Sequence, residues 1–117
     1  MQNNRSVGTT YEKVAGEYLQ SLGYEILEYN YRCRQGEVDI VARQGEYLVF
    51  VEVKYRRTDH MGQPLEAITF AKQKKICRCA RQYLYQHRMA DVAVRFDVVS
   101  ILGDEICVIP NAFEFLN

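Results

Sequence analysis

The stretch GEVDIVARQGEYLVFVEVKYR, residues 36–56, decides the fold. Its apolar runs at 40–42 and 48–51 flank Gln44-Gly45, a pair that suits a tight hairpin turn. These runs predict two neighbouring strands that are largely buried in a sheet. The same strands nevertheless carry four charged residues, which are Glu37, Asp39, Glu52 and Lys54.

The positions of these charges along the strands predict that they share one face. Side chains alternate between faces along a strand, so parity assigns each residue to a side. A turn at Gln44-Gly45 places Glu37 opposite Glu52. The same register places Asp39 opposite Phe50, with Glu52 on its diagonal. All the charges then meet at the open end of the hairpin, whereas a shift of one residue would separate them.

Clustered carboxylates in a buried hairpin need a counter-charge, because like charges repel and ionised groups are poorly solvated there. A divalent cation offsets several of them at once, and carboxylate oxygens are ligands that Mg²⁺ prefers. We therefore predict that Asp39 and Glu52 bind Mg²⁺ or Mn²⁺. Glu37 is expected to be a further ligand or a supporting group. The alternative is a buried cluster of salt bridges without a metal.

Lys54 lies two residues after Glu52 and on the same predicted face. An acid on one strand, followed by Glu-x-Lys on its neighbour, is typical of metal-dependent phosphodiester cleavage. In that chemistry the metal polarises the phosphate and acidifies bound water. We predict that Lys54 positions the water or stabilises developing negative charge.

The length and composition predict one globular domain spanning residues 1–117. Apolar residues make up 48% of the chain and charged residues 26%, which is ordinary for such a domain. We find no apolar run close to the roughly 20 residues of a membrane helix, and the polar start lacks a signal-peptide pattern. We therefore expect a cytoplasmic protein without membrane contact. In that compartment we expect free thiols at Cys33, Cys77, Cys79 and Cys107.

The remaining segments predict the order α-β-β-β-α-β-β. Helical spacing predicts a first helix that Thr9 or Thr10 caps and Gly23 ends. A strand follows before Gly36, and a polar loop, RRTDHMGQP, follows the hairpin. A second helix is predicted from about Phe70 to about Met89, and a last strand pair surrounds Gly103-Asp104. The expected fold class is α/β, with a central mixed five-stranded sheet flanked by helices.

Positive charge is concentrated in one part of the chain. The net charge is zero, but residues 54–90 contain nine basic and two acidic residues, so this segment carries +7 and the remainder −7. Lysine and arginine contacts to phosphates dominate non-specific nucleic-acid affinity. The alternative is a solvated helix face. We predict nucleic-acid contacts by Arg56, Arg57, Lys72, Lys74, Arg78 and Arg81.

Several segments together resemble a known family. They are YLQSLGYEILEYNYRCR at 18–34, the hairpin at 36–56, GQPLEAITFAKQKK at 62–75 and RFDVVSI at 95–101. The combination resembles the YraN-like family of small bacterial proteins. That family is similar to the archaeal-type Holliday-junction resolvases of the PD-(D/E)xK nuclease superfamily. The resemblance covers Gly8 to about Leu102 and implies the restriction-endonuclease-like fold.

The resemblance also implies roles for individual residues. Asp39 and Glu52 match the metal-binding acids of the superfamily, and Lys54 matches its catalytic lysine. Glu12, in GTTYEKVA, matches a first-helix glutamate that resolvase-like members point at the metal. Lys72 matches a basic residue at the start of the second helix.

Alternatives remain for the two helix residues. Glu12 could be a solvated helix residue, with Glu17 as its competitor for the role. Lys72 could be a lysine whose stem lies along apolar surface at a helix end. The sequence departs from the family pattern at Val38, where proline is usual, and at Tyr11, where glycine is usual.

The predicted function is a Mg²⁺- or Mn²⁺-dependent endonuclease that acts on structured or branched DNA. A homodimer would allow two strands to be cut. The alternative is a non-catalytic module that keeps the nuclease fold and binds nucleic acid or a protein partner. A third hypothesis is a structural protein without nucleic-acid affinity.

Overall fold

A computed structural model describes residues 4–34, 36–57 and 68–116 of the chain. The element order is the predicted α-β-β-β-α-β-β, and the α/β class with a mixed five-stranded sheet is confirmed. Within the described ranges, neither helix combines the length and the apolar character that crossing a bilayer requires. The elements are α1 Asn4–Ser21, β1 Glu25–Cys33, β2 Gly36–Gln44, β3 Tyr47–Arg56, α2 Phe70–Gln86, β4 Ala93–Leu102 and β5 Glu105–Ile109.

The strands lie side by side in chain order, β1-β2-β3-β4-β5. Strands β3 and β4 are parallel, and every other neighbouring pair is antiparallel. Parallel neighbours need a long connection, and the chain between β3 and β4 contains α2. This crossover brings the start of α2 near the end of β3, where the predicted site residues Glu52 and Lys54 lie.

Each face of the sheet is covered by one helix. On the α1 side, buried apolar residues of the sheet pack with Ala15 and Leu19 of the helix. On the α2 side, Phe50 and Phe96 pack with Ile76 of the helix. Burying one such large apolar side chain stabilises the fold by roughly 1.5–3 kcal/mol. The two cores therefore hold both helices against the strands that carry the charged residues.

Gly23 ends α1 as predicted. It has φ of 94°, in the left-handed region that glycine adopts readily, and its N–H donates to the carbonyl of Gln20 at 3.0 Å. The next N–H, that of Tyr24, donates to the carbonyl of Leu19 at 3.0 Å. These two bonds form a Schellman motif, which satisfies carbonyls that the helix end would otherwise leave free.

Two other helix boundaries differ from the prediction. Helix α1 begins at Asn4, so the predicted cap at Thr9 or Thr10 is wrong. No proline stands between residues 4 and 10, so nothing in that stretch forces a later start. Helix α2 begins at Phe70 as predicted but ends at Gln86, three residues before the predicted end.

The β2–β3 hairpin turns one residue later than predicted. Gly45 and Glu46 form the turn, and Gln44 pairs with Tyr47. Gly45 has φ of 59°, which suits a turn position that requires the left-handed region. The predicted turn at Gln44-Gly45 is therefore wrong, and the whole register moves by two positions.

The corrected register changes the facing partners of the charged residues. Phe50 pairs with Val41, so the predicted pairing of Phe50 with Asp39 is wrong. The predicted pairing of Glu37 with Glu52 also fails, because the described β2–β3 pairs end before either residue. Glu37 instead pairs with a residue of β1. A shift by an even number of residues keeps the faces only where a strand alternates regularly. In β2 the alternation breaks beside Asp39, because Val38 and Val41 pack on the α2 side and Ile40 packs on the α1 side.

The expectation of four free thiols is wrong for one pair. Cys33 of β1 and Cys79 of α2 form a disulfide, with their Cα atoms 5.2 Å apart. Cys77 is a free, buried thiol, and Cys107 is a free, exposed one. The disulfide ties the outer strand β1 to the helix above it. The scattered spacing of the cysteines hid this pair, because it forms only when α2 docks on the sheet.

Candidate metal centre

The acidic residues lie where strands β2 and β3 stop pairing. The described ladder ends at Ile40 and Val51, and Asp39 and Glu52 are the next residues outward. The Asp39 N–H donates to Oε2 of Glu52 at 3.3 Å. Oδ2 of Asp39 accepts from the N–H of Val53 at 2.8 Å. The two carboxylates thus replace missing ladder bonds and satisfy backbone donors at the opening of the hairpin.

Three carboxyl groups converge beside this opening. One ligand oxygen from each of Glu12, Glu37 and Asp39 lies within 4.8 Å of the other two. Glu12 comes from α1 and is only 8% exposed, so it is not the solvated helix residue that was one alternative. Its Oε1 is buried and has no hydrogen-bond partner among the described residues.

The charge state of Glu12 follows from this crowding. Burial raises the pKa of Glu12 to about 7, and the neighbouring charge of Asp39 adds to the shift. Raised pKa values of this kind are frequent at functional sites. The group is therefore an oxygen-only donor set, and Arg32, whose Nε lies 3.5 Å from Oε2 of Glu37, offsets part of its negative charge.

Glu52 lies next to this group but outside it. Its side chain is buried, and its Oε1 lies 3.4 Å from Nζ of Lys72. Burial raises the pKa of Glu52 to about 7, the charge of Asp39 adds to the shift, and Lys72 opposes it. The predicted pair of Asp39 and Glu52 is therefore adjacent, and Lys72 neutralises part of its charge.

Two lysines border the carboxylates. The amines of Lys54 of β3 and Lys72 of α2 lie close enough to shift each other's pKa. Burial, together with the neighbouring amine of Lys72, lowers the pKa of Lys54 to about 8. Burial opposes the shift at Lys72, but its contact with Lys54 and the charge of Glu52 keep its pKa raised. Lys54 is thus the amine that more readily gives up a proton.

A cleft of about 400 Å³ opens onto several of these groups, but Glu12 and Lys54 do not line it. Helix α2 begins at its edge, where the Thr69 side chain accepts from the N–H of Lys72 at 3.1 Å. The cleft combines acidic groups from the sheet with basic groups and the positive end of a helix dipole. Its lining includes Glu37, Asp39, Glu52, Thr69, Lys72 and Lys75.

Asn30 is a site residue that the sequence reasoning missed. It lies in β1 between the paired residues Tyr29 and Tyr31, level with Asp39 of β2. Its φ of 55° is left-handed, which is unusual inside a strand and commoner for asparagine than for most residues. Its side chain lies close enough to Glu12 to oppose the rise in the pKa of that carboxyl group. The only sequence signal was an asparagine within a run typical of a strand.

The predicted nucleic-acid residues divide into groups. Arg56 and Arg57 lie at the end of β3, close to Lys54 in the chain. Lys74 and Arg78 lie on α2, and the Lys74 amine is 5.5 Å from the centre of the Phe70 ring. The part of the polar loop from residue 58 to residue 67, including Gln63, lies outside the described residues.

Arg81 is occupied by the chain's own C-terminal segment. Its Nη1 donates to the carbonyl of Leu116 at 2.6 Å, and its guanidinium lies 5.4 Å from the centre of the Phe115 ring. The same segment places Phe113 on Phe96, with ring centres 4.9 Å apart. Arg81 is therefore the predicted phosphate contact with the clearest structural role.

A second buried carboxylate provides a contrast. Asp97 is fully buried and accepts from the Tyr24 hydroxyl at 2.6 Å and from the N–H of Asn111 at 2.9 Å. Arg95 adds two further hydrogen bonds, each of 2.9 Å. Both oxygens of Asp97 are thus satisfied within the protein. Glu12, whose Oε1 lacks a partner, is the carboxylate that suits an external ligand.

Comparison with known proteins identifies the family. The model of the uncharacterised protein family UPF0102 matches residues 11–101. The chain belongs to family UPF0102. This confirms the family that the sequence resemblance indicated. Similar UPF0102 proteins include one from Lachnoclostridium phytofermentans, 51% identical over 96% of each chain. Another, from Geobacter metallireducens, is 47% identical over 96% of this chain and 95% of its own.

Proposed function

We propose that this UPF0102 protein is a metal-dependent nuclease that hydrolyses phosphodiester bonds in structured or branched DNA. The observation that carries the proposal is the convergence of Glu12, Glu37 and Asp39, together with a buried oxygen of Glu12 that has no hydrogen-bond partner among the described residues. Lys54 borders this group on the neighbouring strand. The arrangement joins an oxygen-only donor set to an amine with a lowered pKa.

The donor set fits Mg²⁺ or Mn²⁺. Hard divalent cations prefer carboxylate oxygens, and the unpartnered Oε1 of Glu12 provides a reason for a ligand to be present. Asp39, Glu12 and Glu37 would hold the ion, with Glu52 beside them through its contact with Asp39. When bound, such an ion polarises the phosphate and lowers the pKa of water.

The chain's own residues supply the remaining chemistry. Lys54, with its pKa of about 8, can hold or release a proton near neutral pH, which suits a group that positions the attacking water. Protonated, it stabilises the negative charge that develops on the phosphate. Lys72 keeps Glu52 in place through their 3.4 Å ion pair and brings positive charge to the cleft.

The basic residues around the cleft support DNA as the substrate. Lys72 and Lys75 line the cleft, and the start of α2 adds its dipole. Arg56, Arg57 and the exposed Arg78 extend the positive region along β3 and α2. Contacts of this kind recognise backbone and shape rather than base sequence. A homodimer would present two such clefts to two strands.

A cleavage assay tests this proposal. Wild type, Asp39→Asn and Lys54→Ala are incubated with branched, duplex and single-stranded DNA in Mn²⁺ or EDTA. We expect wild type to cut in Mn²⁺ only, and Lys54→Ala to be slower by roughly 10²–10⁴-fold, the usual contribution of a proton-transfer group. Lys13→Ala, which removes an exposed lysine of α1, is the matched control and should cut like wild type.

Absence of cleavage would contradict the proposal. If wild type cuts none of these DNAs in Mn²⁺, the nuclease proposal is wrong. Salt-sensitive DNA binding by that inactive protein would then identify the alternative, a non-catalytic nucleic-acid-binding module that keeps the fold.

A further inference from the structure

Two tyrosines form a stacked pair between α1 and β3, the elements that carry Glu12 and Lys54. The rings of Tyr11 in α1 and Tyr55 in β3 have centres 3.8 Å apart and an interplanar angle of 16°. Tyr11 directly precedes Glu12, and Tyr55 directly follows Lys54. Side chains alternate along a strand, so Tyr55 projects to the α1 side of the sheet and Lys54 to the opposite side. The pair is therefore held on the α1 side by the two elements that carry Glu12 and Lys54.

The outer ring of this pair is accessible. Tyr11 packs against the core on the α1 side, whereas Tyr55 remains 37% exposed. Core packing alone would explain Tyr11 but not an exposed ring stacked upon it. Arg57, two residues after Tyr55, is also exposed. The end of β3 thus combines an accessible aromatic ring with a cation, close in the chain to Lys54.

We infer that the Tyr11–Tyr55 pair is a stacking platform for an unpaired nucleobase adjacent to the cleaved phosphodiester. This inference rests on the proposed function for its location. Aromatic rings beside basic residues bind single-stranded nucleic acid, because every base offers a π-face to stack. Bases within a duplex have both faces covered by their neighbours. The platform therefore selects DNA with unpaired nucleotides, such as flaps, bulges and open junctions.

Binding titrations in EDTA test the inference while the DNA stays intact. The probe is a duplex that carries the fluorescent base 2-aminopurine, either paired or unpaired in a bulge. We expect wild type to prefer the bulged probe. Tyr55→Leu should lose roughly 5- to 150-fold in affinity for the bulge, the range for one base on an aromatic ring, and keep its duplex affinity.

Matched variants separate stacking from folding. Tyr55→Leu retains an apolar contact for Tyr11, and its unfolding midpoint shows that the domain is intact. Tyr55→Phe keeps the ring and should bind the bulge like wild type. Tyr85→Leu removes a tyrosine that is 86% exposed on α2, and should change neither affinity.

Three results would overturn the platform. They are equal affinity of wild type for bulge and duplex, an unchanged bulge preference in Tyr55→Leu, and a loss in Tyr55→Phe as large as that in Tyr55→Leu. These failures differ from failure of the nuclease proposal. That failure would appear as uncut DNA in Mn²⁺, whereas the titrations involve no cleavage.

Discussion

The backbone N–H of Asp39 donates to a carboxylate oxygen of Glu52 at 3.3 Å, at the point where their strands stop pairing. The Asp39 carboxylate accepts in turn from the N–H of Val53 at 2.8 Å. The two acids therefore bond backbone donors in addition to any role with a metal. Variants must separate these structural and chemical roles.

Substitutions of Asp39 should separate these roles. Asp39→Asn keeps an acceptor for Val53 and removes a charge that opposes Glu12 and Glu52, so in EDTA it should be at least as stable as wild type. Asp39→Ala leaves the Val53 N–H unsatisfied and should be less stable than Asp39→Asn by roughly 1–3 kcal/mol. Both should lose Mn²⁺-dependent cleavage. Urea unfolding measures the difference, and equal stability of the two variants would contradict the account.

The stability of the metal-free protein should fall as the pH rises. Glu12 and Glu52 have pKa values raised from 4.5 to about 7, so the folded state holds their protons more tightly than the unfolded state. This stabilisation is complete below about pH 4.5 and is lost as the pH passes through about 7. Unfolding midpoints in EDTA between these limits measure the loss.

The control for this pH dependence is Glu12→Gln, which removes one of the two titrating groups. Its midpoint should change less with pH than that of wild type. Mn²⁺ should also flatten the wild-type profile, because a bound cation offsets the charge that the carboxylates gain. Stability in EDTA that rises steadily over the same pH range would contradict the account.

Asn30 should act through both its backbone and its side chain. Asn30→Gly keeps the left-handed conformation but removes the polar side chain next to Glu12, so it should fold stably and bind Mn²⁺ more weakly. Asn30→Ala loses the same side chain and also strains the backbone, and should be less stable than Asn30→Gly by roughly 1 kcal/mol. Calorimetric Mn²⁺ titrations and urea unfolding measure the two effects. Unchanged Mn²⁺ affinity in Asn30→Gly would show that the contact does not position Glu12.

The Cys33–Cys79 disulfide should stabilise the attachment of α2 to β1. It closes a loop with a sequence separation of 46, and its reduction should cost roughly 2–4 kcal/mol. Unfolding with and without a thiol reductant measures this cost, and the double variant Cys33→Ser/Cys79→Ser should match the reduced protein. Cys107→Ser removes an exposed free thiol and should keep the full response to reductant. No effect of reductant on wild type would contradict the pairing.

The strands could be predicted because short apolar runs fix them locally. The runs at 40–42 and 48–51 identify a buried hairpin. Parity alone could not assign the face of Asp39, because Val38 and Val41 pack on the α2 side and Ile40 packs on the α1 side. The position of the turn could not be fixed in this way. Gly45 fits a two-residue turn either as its second residue, after Gln44, or as its first, before Glu46, and the structure uses the latter.

Features that form only when elements dock on each other could not be predicted from local sequence patterns. Cys33 and Cys79 meet because α2 packs on the sheet beside β1. Only the family resemblance predicted that Glu12 lies near the acids, because the sequence of α1 does not indicate which residue faces the strand ends. Asn30 resembles an ordinary edge-strand residue until its left-handed φ is known.

The most direct test of the central claim is anomalous diffraction from a crystal of the protein soaked in Mn²⁺. We predict a manganese peak at bonding distance, roughly 2.0–2.3 Å, from a carboxylate oxygen of Asp39 and from Glu12 or Glu37, with Glu52 adjacent. The same soak of an Asp39→Asn crystal should show a weaker peak or none. An ordered wild-type crystal with no manganese among these carboxylates would contradict the account.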